Sequence, residues 1–576
     1  MAERMMEPME PREDQQATTR ADTLQGFWSA TEFLMRAGGP FETQEELVFG
    51  EPMQVFRNRK RNFLELLETS ALYGTREFLV FEDGPRVTFA EFRVQVLATA
   101  ERMHRELKIR KGERVAICAK NGPGWIITAS AALTLGAVVV AMNSWWTPED
   151  IQLALELTEP AAILIDSKGK SILPDQDQSA TVVDIDLFVQ QVFEGCSGSP
   201  ITPEGPPDLD EDDPALILFT SGTSGRPKAA VLTHRCLIGF VQLTMFIGAR
   251  AAAQAGIGPD GVPLARLAVF PLFHISGFGS FISALAFGHK TVWPAGRFDA
   301  GRIIELSEEE GINMWAGAST HIARLMESPR LDRFDKSQIR QVGIGGSAST
   351  PSLIALTEHR FPHLRDTFAS GYGMTESGGL VSHAPNFMLR IAEDCVGPPL
   401  PTIEVHIERT DGTRAAEGEI GVICIRSPIV MKEYFGPSDG AEAGLGPNRW
   451  LRTEDYGRLE GGLLFVASRI RDLIIRGGEN IYPAEVERCL ERHPAVLEAA
   501  VYGRDDEEFG QVVHASVYLR PGSELSGAEI RSYCAERLAY FKVPKDVVVR
   551  SEPLPRNAVG KVLKRLVESE GSPTET

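Results

Sequence analysis

The stretch Leu216–His234, LILFTSGTSGRPKAAVLTH, narrows the folding problem more than any other. An apolar run, Leu216–Phe219, stops abruptly at six small residues: Thr220, Ser221, Gly222, Thr223, Ser224 and Gly225. Glycines let the backbone turn tightly and expose its N–H groups, and hydroxyls add donors. Arg226 and Lys228 bring two cations within reach. Amides, hydroxyls and cations together suit a polyphosphate. The ordinary P-loop is excluded: counted from Gly222, its second glycine falls on Pro227, and no Ser or Thr follows Lys228. A Gly/Ser-rich surface loop is the plain alternative, and the Arg-Pro-Lys sequence leading into a new apolar run weighs against it.

The rest of the chain bounds the setting. At 576 residues it is too long for one core, which implies about three or four folding units. A net charge of −20 argues against a general nucleic-acid surface, so an anionic substrate must be met by a few local cations. The seven cysteines are scattered with no CxxC pair, a pattern of reduced thiols and not of a disulfide frame or zinc site. Met1–Arg20 has no apolar core, so no signal peptide is expected, and the ending Pro573-Thr574-Glu575-Thr576 is not a peroxisomal signal. A cytoplasmic location follows as an expectation. The apolar stretch Ile126–Met142 contains Thr128, Ser130, Thr134 and Gly136. It reads as a buried helix passing into a buried strand, with no transmembrane segment.

Residues 1–50 read as an N-terminal extension, partly disordered, with a short helix over Phe27–Gly38. The basic run Arg57-Asn58-Arg59-Lys60-Arg61 reads as a solvated face. From Asn62 helices and strands alternate: Phe78–Phe81 and Arg86–Thr88 as a hairpin, Phe89–Leu107 helical, Arg114–Ala119 and Ala161–Asp166 as strands. Thr147-Pro148-Glu149-Asp150 is a helix start, with Thr147 as the N-cap. Such alternation implies βαβ units and a largely parallel sheet. Strands continue at Leu267–Phe270, Asn313–Trp315 and Gln341–Gly346, with a helix at Gly277–Phe287. From about Val396 short alternating strands suggest a small β-barrel. The last hundred or so residues read as an α+β unit in which Ser526 and Glu529 form a capping box.

The phosphate-binding stretch resembles that of the adenylate-forming superfamily, which includes acyl-CoA synthetases, 4-coumarate-CoA ligases, luciferases and peptide-synthetase adenylation domains. Ser224 and Ala229 depart from that family's usual Thr and Gly, and both are small. Five further stretches agree in the same order, and the resemblance spans roughly residues 60–570. It implies an α/β fold: an AMP-binding N-terminal domain (51–470) of two doubly wound α/β subdomains plus a small β-barrel, and a mobile α+β C-terminal domain (471–576).

Residue by residue, the resemblance implies the following roles. In FPLFHISGFG, His274 flanks the substrate carboxylate and gates the acyl tunnel. Amino-acid-activating relatives carry an Asp near this point, and here Leu272, Phe273 and Ile275 surround His274 instead. In VGIGGSAS, Gly345, Gly346 and Ser347 line the adenine and acyl pockets. In SGYGMTE, Gly371, Tyr372 and Gly373 face the adenine, Thr375 the α-phosphate, and Glu376 is the Mg²⁺ ligand. In WLRTEDYG, Asp455 accepts from the ribose hydroxyls, with Glu454 where the family usually has Gly. In SRIRDLIIRGGENIYPAEVE, Arg469 is a second ribose or phosphate contact and Arg471 stands at the domain hinge. Gly477 and Gly478 close over the pantetheine of CoA. In PLPRNAVGKVLKR, Lys561 contacts the carboxylate and the bridging oxygen during adenylation. Acyl-pocket candidates are His274, Phe278, Ala318, Ser319, Gly343, Gly371 and Met374.

The implied enzyme is an ATP-dependent acyl-CoA ligase using ATP, Mg²⁺ and CoA. Its substrate is a fatty or aromatic carboxylic acid, and a homodimer is compatible with the pattern. Catalysis would fall to Lys561, Glu376, His274 and Lys228. Three alternatives share many of these motifs: an enzyme loading a carrier protein, a stand-alone amino-acid-adenylating enzyme, and a non-catalytic nucleotide-binding protein. The missing acid near His274 disfavours the second; retention of Lys561 and Glu376 disfavours the third.

Overall fold

The computed structural model describes residues 13–570 apart from 168, 174–179, 196–207, 222–226, 255–263, 346–350, 366–367, 393, 437–443, 478, 521 and 558–559. Two large sheets carry the N-terminal region. In the first, the spatial order is 433–434, 227–233, 214–221, 138–141, 114–118, 162–165, 181–184. From Pro214–Ser221 outward to Thr181–Asp184 the neighbours run parallel, as βαβ alternation requires. Pro227–Thr233 returns antiparallel beside Pro214–Ser221, with Ser221 opposite Pro227. The second sheet orders 382–385, 369–372, 341–344, 314–317, 265–267, 290–293, 77–81 and 86–88, with a parallel centre and antiparallel edges. A five-stranded antiparallel sheet (395–397, 463–469, 451–460, 421–426, 404–408) forms the small β unit. The C-terminal sheet pairs Val496–Asp506 with Gly510–Leu519 and adds Asp546–Arg550 in parallel.

Local chemistry sets the ends of these elements. Thr88 and Thr147 accept from the third helical N–H and receive Glu91 and Asp150 in return, closing capping boxes on Phe89–Glu106 and Pro148–Thr158. Ser526 and Glu529 do the same for Gly527–Ala535. The stretch weighed as a membrane span is helix Pro123–Thr134, a turn with Gly136 at φ +71°, and the buried strand Val138–Ala141. A different helix, His234–Gln254, is long and apolar enough to cross a membrane by length and composition. Here it packs against helices Glu13–Met35 and Ile275–Phe287.

Four expectations change. The helix expected over Phe27–Gly38 spans Glu13–Met35 instead, since Phe27 is fully buried beside Phe387 and under the Arg250 guanidinium, 3.9 Å from its ring. The hairpin Thr43–Val48/Glu51–Phe56 straddles residue 50, where the extension was expected to end. The basic run is only partly solvated. Arg59 is buried and bonds Glu46 at 2.7 Å and Glu211 at 2.9 Å, and Arg61 joins Glu211. Arg59 holds the Glu46 carboxyl down to about 2. The run therefore ties the hairpin to the main unit, because a buried Glu211 must be paired. The strand expected at Leu267–Phe270 lies at Ala265–Leu267.

Candidate active site

The ends of the two large sheets and the small β unit meet at one cleft. Thr220 and Lys228 are cross-strand partners and so share a face of the hairpin. Tyr434, in a short strand paired with Ala230, extends the same sheet. Its ring lies 5.2 Å from the Lys228 Nζ. Across the cleft, strand Ala369–Tyr372 runs into the turn Thr375–Ser377, which carries Glu376. Thr220 Oγ1 and the Tyr434 hydroxyl both donate to Glu376 Oε1, at 2.9 and 3.0 Å. Both donors use one oxygen and leave Oε2 for a cation. This fits Mg²⁺, which takes one or two carboxylates and draws its other ligands from phosphates and water. Burial, then the Glu376 and Glu454 carboxylates, push the Tyr434 hydroxyl upward, so it stays a donor at neutral pH. Glu454, at the family's Gly position, lies close enough to act on this corner.

A second corner is built on the small sheet. Asp455 and Arg469 are register partners on adjacent strands. Tyr372 donates to Asp455 Oδ2 at 2.7 Å, and Arg469 Nε lies 3.6 Å from Oδ1. The Asp455 N–H donates to Thr453 Oγ1 at 3.1 Å, fixing the turn despite Glu454. Tyr372 is raised well above its usual range by burial and by Asp455, so it too remains a neutral donor.

Between the corners the backbone approaches closely. The Gly345 N–H donates to the Gly317 carbonyl at 3.1 Å. A Cβ on Gly373 would collide with the Gly379 carbonyl, and one on Gly371 would come within 3.3 Å of the Ser382 carbonyl. His274 precedes helix Ile275–Phe287, half-buried against the Phe273 ring, and burial lowers it to about 4, so it is neutral at physiological pH. Phe240 fits between two glycines: a Cβ on Gly279 would lie 2.5 Å, and one on Gly379 2.9 Å, from its ring. Phe240 was not legible as the neighbour of these glycines, because it sits inside an ordinary apolar helix. Phe278, expected to line the pocket, is instead core: it is fully buried against Trp125 and Phe281.

The C-terminal unit supplies Lys561. Its N–H donates to Asn557 Oδ1 at 2.9 Å, and the Asn557 N–H returns to the Lys561 carbonyl at 2.9 Å. Gly560, at φ +79°, makes the turn; a Cβ there would stand 2.7 Å from Ala318 Cβ. Lys561 thus lies against the cleft. It is lowered to about 8 by burial and then by Arg469 and Arg471, with Asp455 and Asp472 opposing. Gly477, at φ +59°, turns a hairpin beside Phe509 and has only that ring within 4 Å of its Cβ position. It is not brought to the nucleotide corners. Gly222, Thr223, Ser224, Gly225, Gly346, Ser347 and Gly478, with the Ser221 side chain, lie outside the described residues.

Comparison with known proteins agrees with this geometry. The AMP-binding enzyme family matches residues 67–435, and the AMP-binding enzyme C-terminal domain matches 485–561. The chain is 34% identical to a 2-succinylbenzoate–CoA ligase of Bacillus subtilis, over 87% of this chain and 96% of that one. It is 29% identical to a mitochondrial medium-chain acyl-CoA ligase of Danio rerio, over 87% and 86%. Among solved structures, o-succinylbenzoate CoA synthetase from Bacillus subtilis with its acyl-adenylate intermediate aligns with a TM-score of 0.71 and 30% identity, over 89% of this chain and 98% of that one. ATP-bound MatB from Rhodopseudomonas palustris shares the fold, with a TM-score of 0.75 and 24% identity over 88% and 98%.

Proposed function

The chain belongs to the AMP-binding enzyme family and is an AMP-forming acyl-CoA ligase using ATP, Mg²⁺ and CoA, and on that premise we propose how its own residues divide the work. A carboxylate is a poor electrophile, so its oxygen first attacks the α-phosphate of ATP and pyrophosphate leaves. Lys228 and the 220–225 stretch would meet the phosphates, and Glu376 would hold Mg²⁺, which would offset the charge of the phosphate oxygens. Lys561 neutralises the charge shared by the carboxylate and the bridging oxygen. A well-placed donor of this kind contributes about 3–4 kcal/mol in the transition state. Asp455 and Arg469 hold the ribose. His274, neutral, closes the acyl side beside Phe240 without adding a charge. The thiol of CoA then attacks the acyl carbon and AMP leaves.

The observation that carries this reading is the position of Lys561, brought by a separate unit to the Asp455–Arg469 corner. The substrate is proposed to be an aromatic or aliphatic carboxylic acid, since the acyl side is framed by Phe240, Ile275 and glycines. The Bacillus relatives named for 2-succinylbenzoate accord with this. A cytoplasmic location and a homodimer are part of the same proposal. A panel of carboxylic acids, scored for ATP-dependent pyrophosphate release and for CoA thioester, tests it. Acid-dependent release followed by thioester supports it. Release followed by transfer only to a carrier protein contradicts it.

A further inference from the structure

The small β sheet carries a side-chain cluster that the reaction does not use. His406 and Glu408 stand two apart on strand Glu404–Glu408 and so share one face. Cys424, on strand Gly421–Arg426, is the register partner of His406. A ring nitrogen of His406, a carboxylate oxygen of Glu408 and the Cys424 sulfur all lie within 4.8 Å of one another, the one grouping of this kind among the described residues. No CxxC spacing announces it, because its members come from two strands, with Glu408 and Cys424 16 positions apart.

The donor atoms are oriented and available. Glu408 Oε1 accepts from Arg452 Nε at 2.7 Å, which steadies the carboxylate, while Oε2 faces the Cys424 sulfur at 4.0 Å. His406 Nδ1 is shielded from solvent and has no hydrogen-bond partner among the described residues, whereas a buried polar atom normally has one. The His406 ring is held edge-on against Trp450, with centroids 4.2 Å apart. Cys424 is buried. Thiolate, imidazole and carboxylate together are the donor set of a zinc-type ion; Mg²⁺ takes oxygens. On binding, the sulfur–metal bond forms and the thiol proton passes to solvent. Thiolate and carboxylate then offset the two charges of the ion, beside the cations Arg452 and Arg414. Water would take the fourth position.

We propose that His406, Glu408 and Cys424 form a binding site for one thiophilic divalent cation of the zinc type, separate from the Mg²⁺ proposed at Glu376. The ion ties strand Glu404–Glu408 to strand Gly421–Arg426. Cys424 is in turn the register partner of Arg452, three residues before Asp455 on strand Leu451–Glu460. The tie therefore braces the sheet that carries Asp455.

The test titrates the full chain, freed of metal and with its thiols reduced, with Co²⁺, whose spectrum reports its ligands. One equivalent should bind with a sulfur-to-cobalt charge-transfer band and the intense visible bands of a four-coordinate ion. Zn²⁺ should displace it, and Mg²⁺ should not. Cys424→Ser should lose the charge-transfer band. Glu408→Gln and His406→Gln should each raise the Co²⁺ Kd by at least about tenfold, since even residues that only orient a ligand are worth about 10–100-fold. Absence of the charge-transfer band in the wild type would overturn the assignment, as would a band that survives in folded Cys424→Ser. Should Cys424→Ser fail to fold, the half-buried His406 and Glu408 decide: an unchanged Kd in either variant would overturn the site.

Discussion

Gly560 rests against Ala318: at φ +79°, its Cβ position lies 2.7 Å from the Ala318 Cβ, and no larger residue fits without moving one unit off the other. This contact sets the turn that carries Lys561 against the cleft, where the proposed role needs it. Gly560→Val therefore faces both a strained backbone and a collision. It is expected to slow acyl-adenylate formation by at least about tenfold, since a displacement of about 1 Å at a reacting centre is that costly. Thioester formation from supplied acyl-adenylate should change far less, and parallel rate measurements of the two half-reactions check this.

In its proposed role, Lys561 would give the adenylation step a pH dependence. Burial and the Arg469 and Arg471 charges lower it to about 8. The charged form, which the phosphoryl chemistry needs, predominates below that value and is lost above it. The adenylation kcat/KM, which reports the free enzyme, should fall on the alkaline side with a midpoint near 8. Arg471→Gln removes one of the depressing charges and should move the midpoint upward. A profile flat to pH 10 would argue against a charged Lys561 in this step.

Glu376 is held by two hydroxyls on one oxygen. Glu376→Gln removes the anion and is expected to raise the Mg²⁺ concentration for half-maximal rate by at least about tenfold. Tyr434→Phe removes only an orienting donor and should raise it less. Titration of rate against Mg²⁺ distinguishes the two.

Much of this arrangement was legible in the sequence where local chemistry decides structure. Thr147 and Ser526 cap helices because hydroxyls three residues ahead of an acid close a capping box. The apolar run before Thr220 is a central strand because nothing in it can face water. Motif order singled out Glu376, Asp455, Arg469 and Lys561 as candidates, and the fold sets them near one another. Partnerships across long separations were not legible. Arg59 meets Glu211 only after 152 positions, so one residue of a basic run that is otherwise exposed, as read, is drawn into a clasp. Phe240 looked like any apolar helix residue, and its place between Gly279 and Gly379 depends on how three segments pack. Phe278 erred in the other direction: motif position suggested a pocket wall, but the face of its helix points into the core.

That clasp has a measurable worth. Arg59→Ala would leave Glu211 buried with reduced pairing, although Arg61 and Arg235 still reach it. Removing one partner of a buried pair costs about 3–5 kcal/mol when nothing else compensates, so a loss somewhat below that range is expected. Urea unfolding with unchanged slope would register it. A loss below about 0.5 kcal/mol, as for an ordinary surface substitution, would contradict the buried role.

The most direct test of the central claim separates the two half-reactions in Lys561→Ala. If Lys561 serves only the first, pyrophosphate release should fall by at least about a hundredfold, corresponding to a lost donor of about 3 kcal/mol. CoA thioester formation from supplied acyl-adenylate should stay within a few-fold of wild type. An equal loss in both half-reactions, or none in the first, would contradict the role assigned to the lysine that the Gly560 turn carries to the cleft.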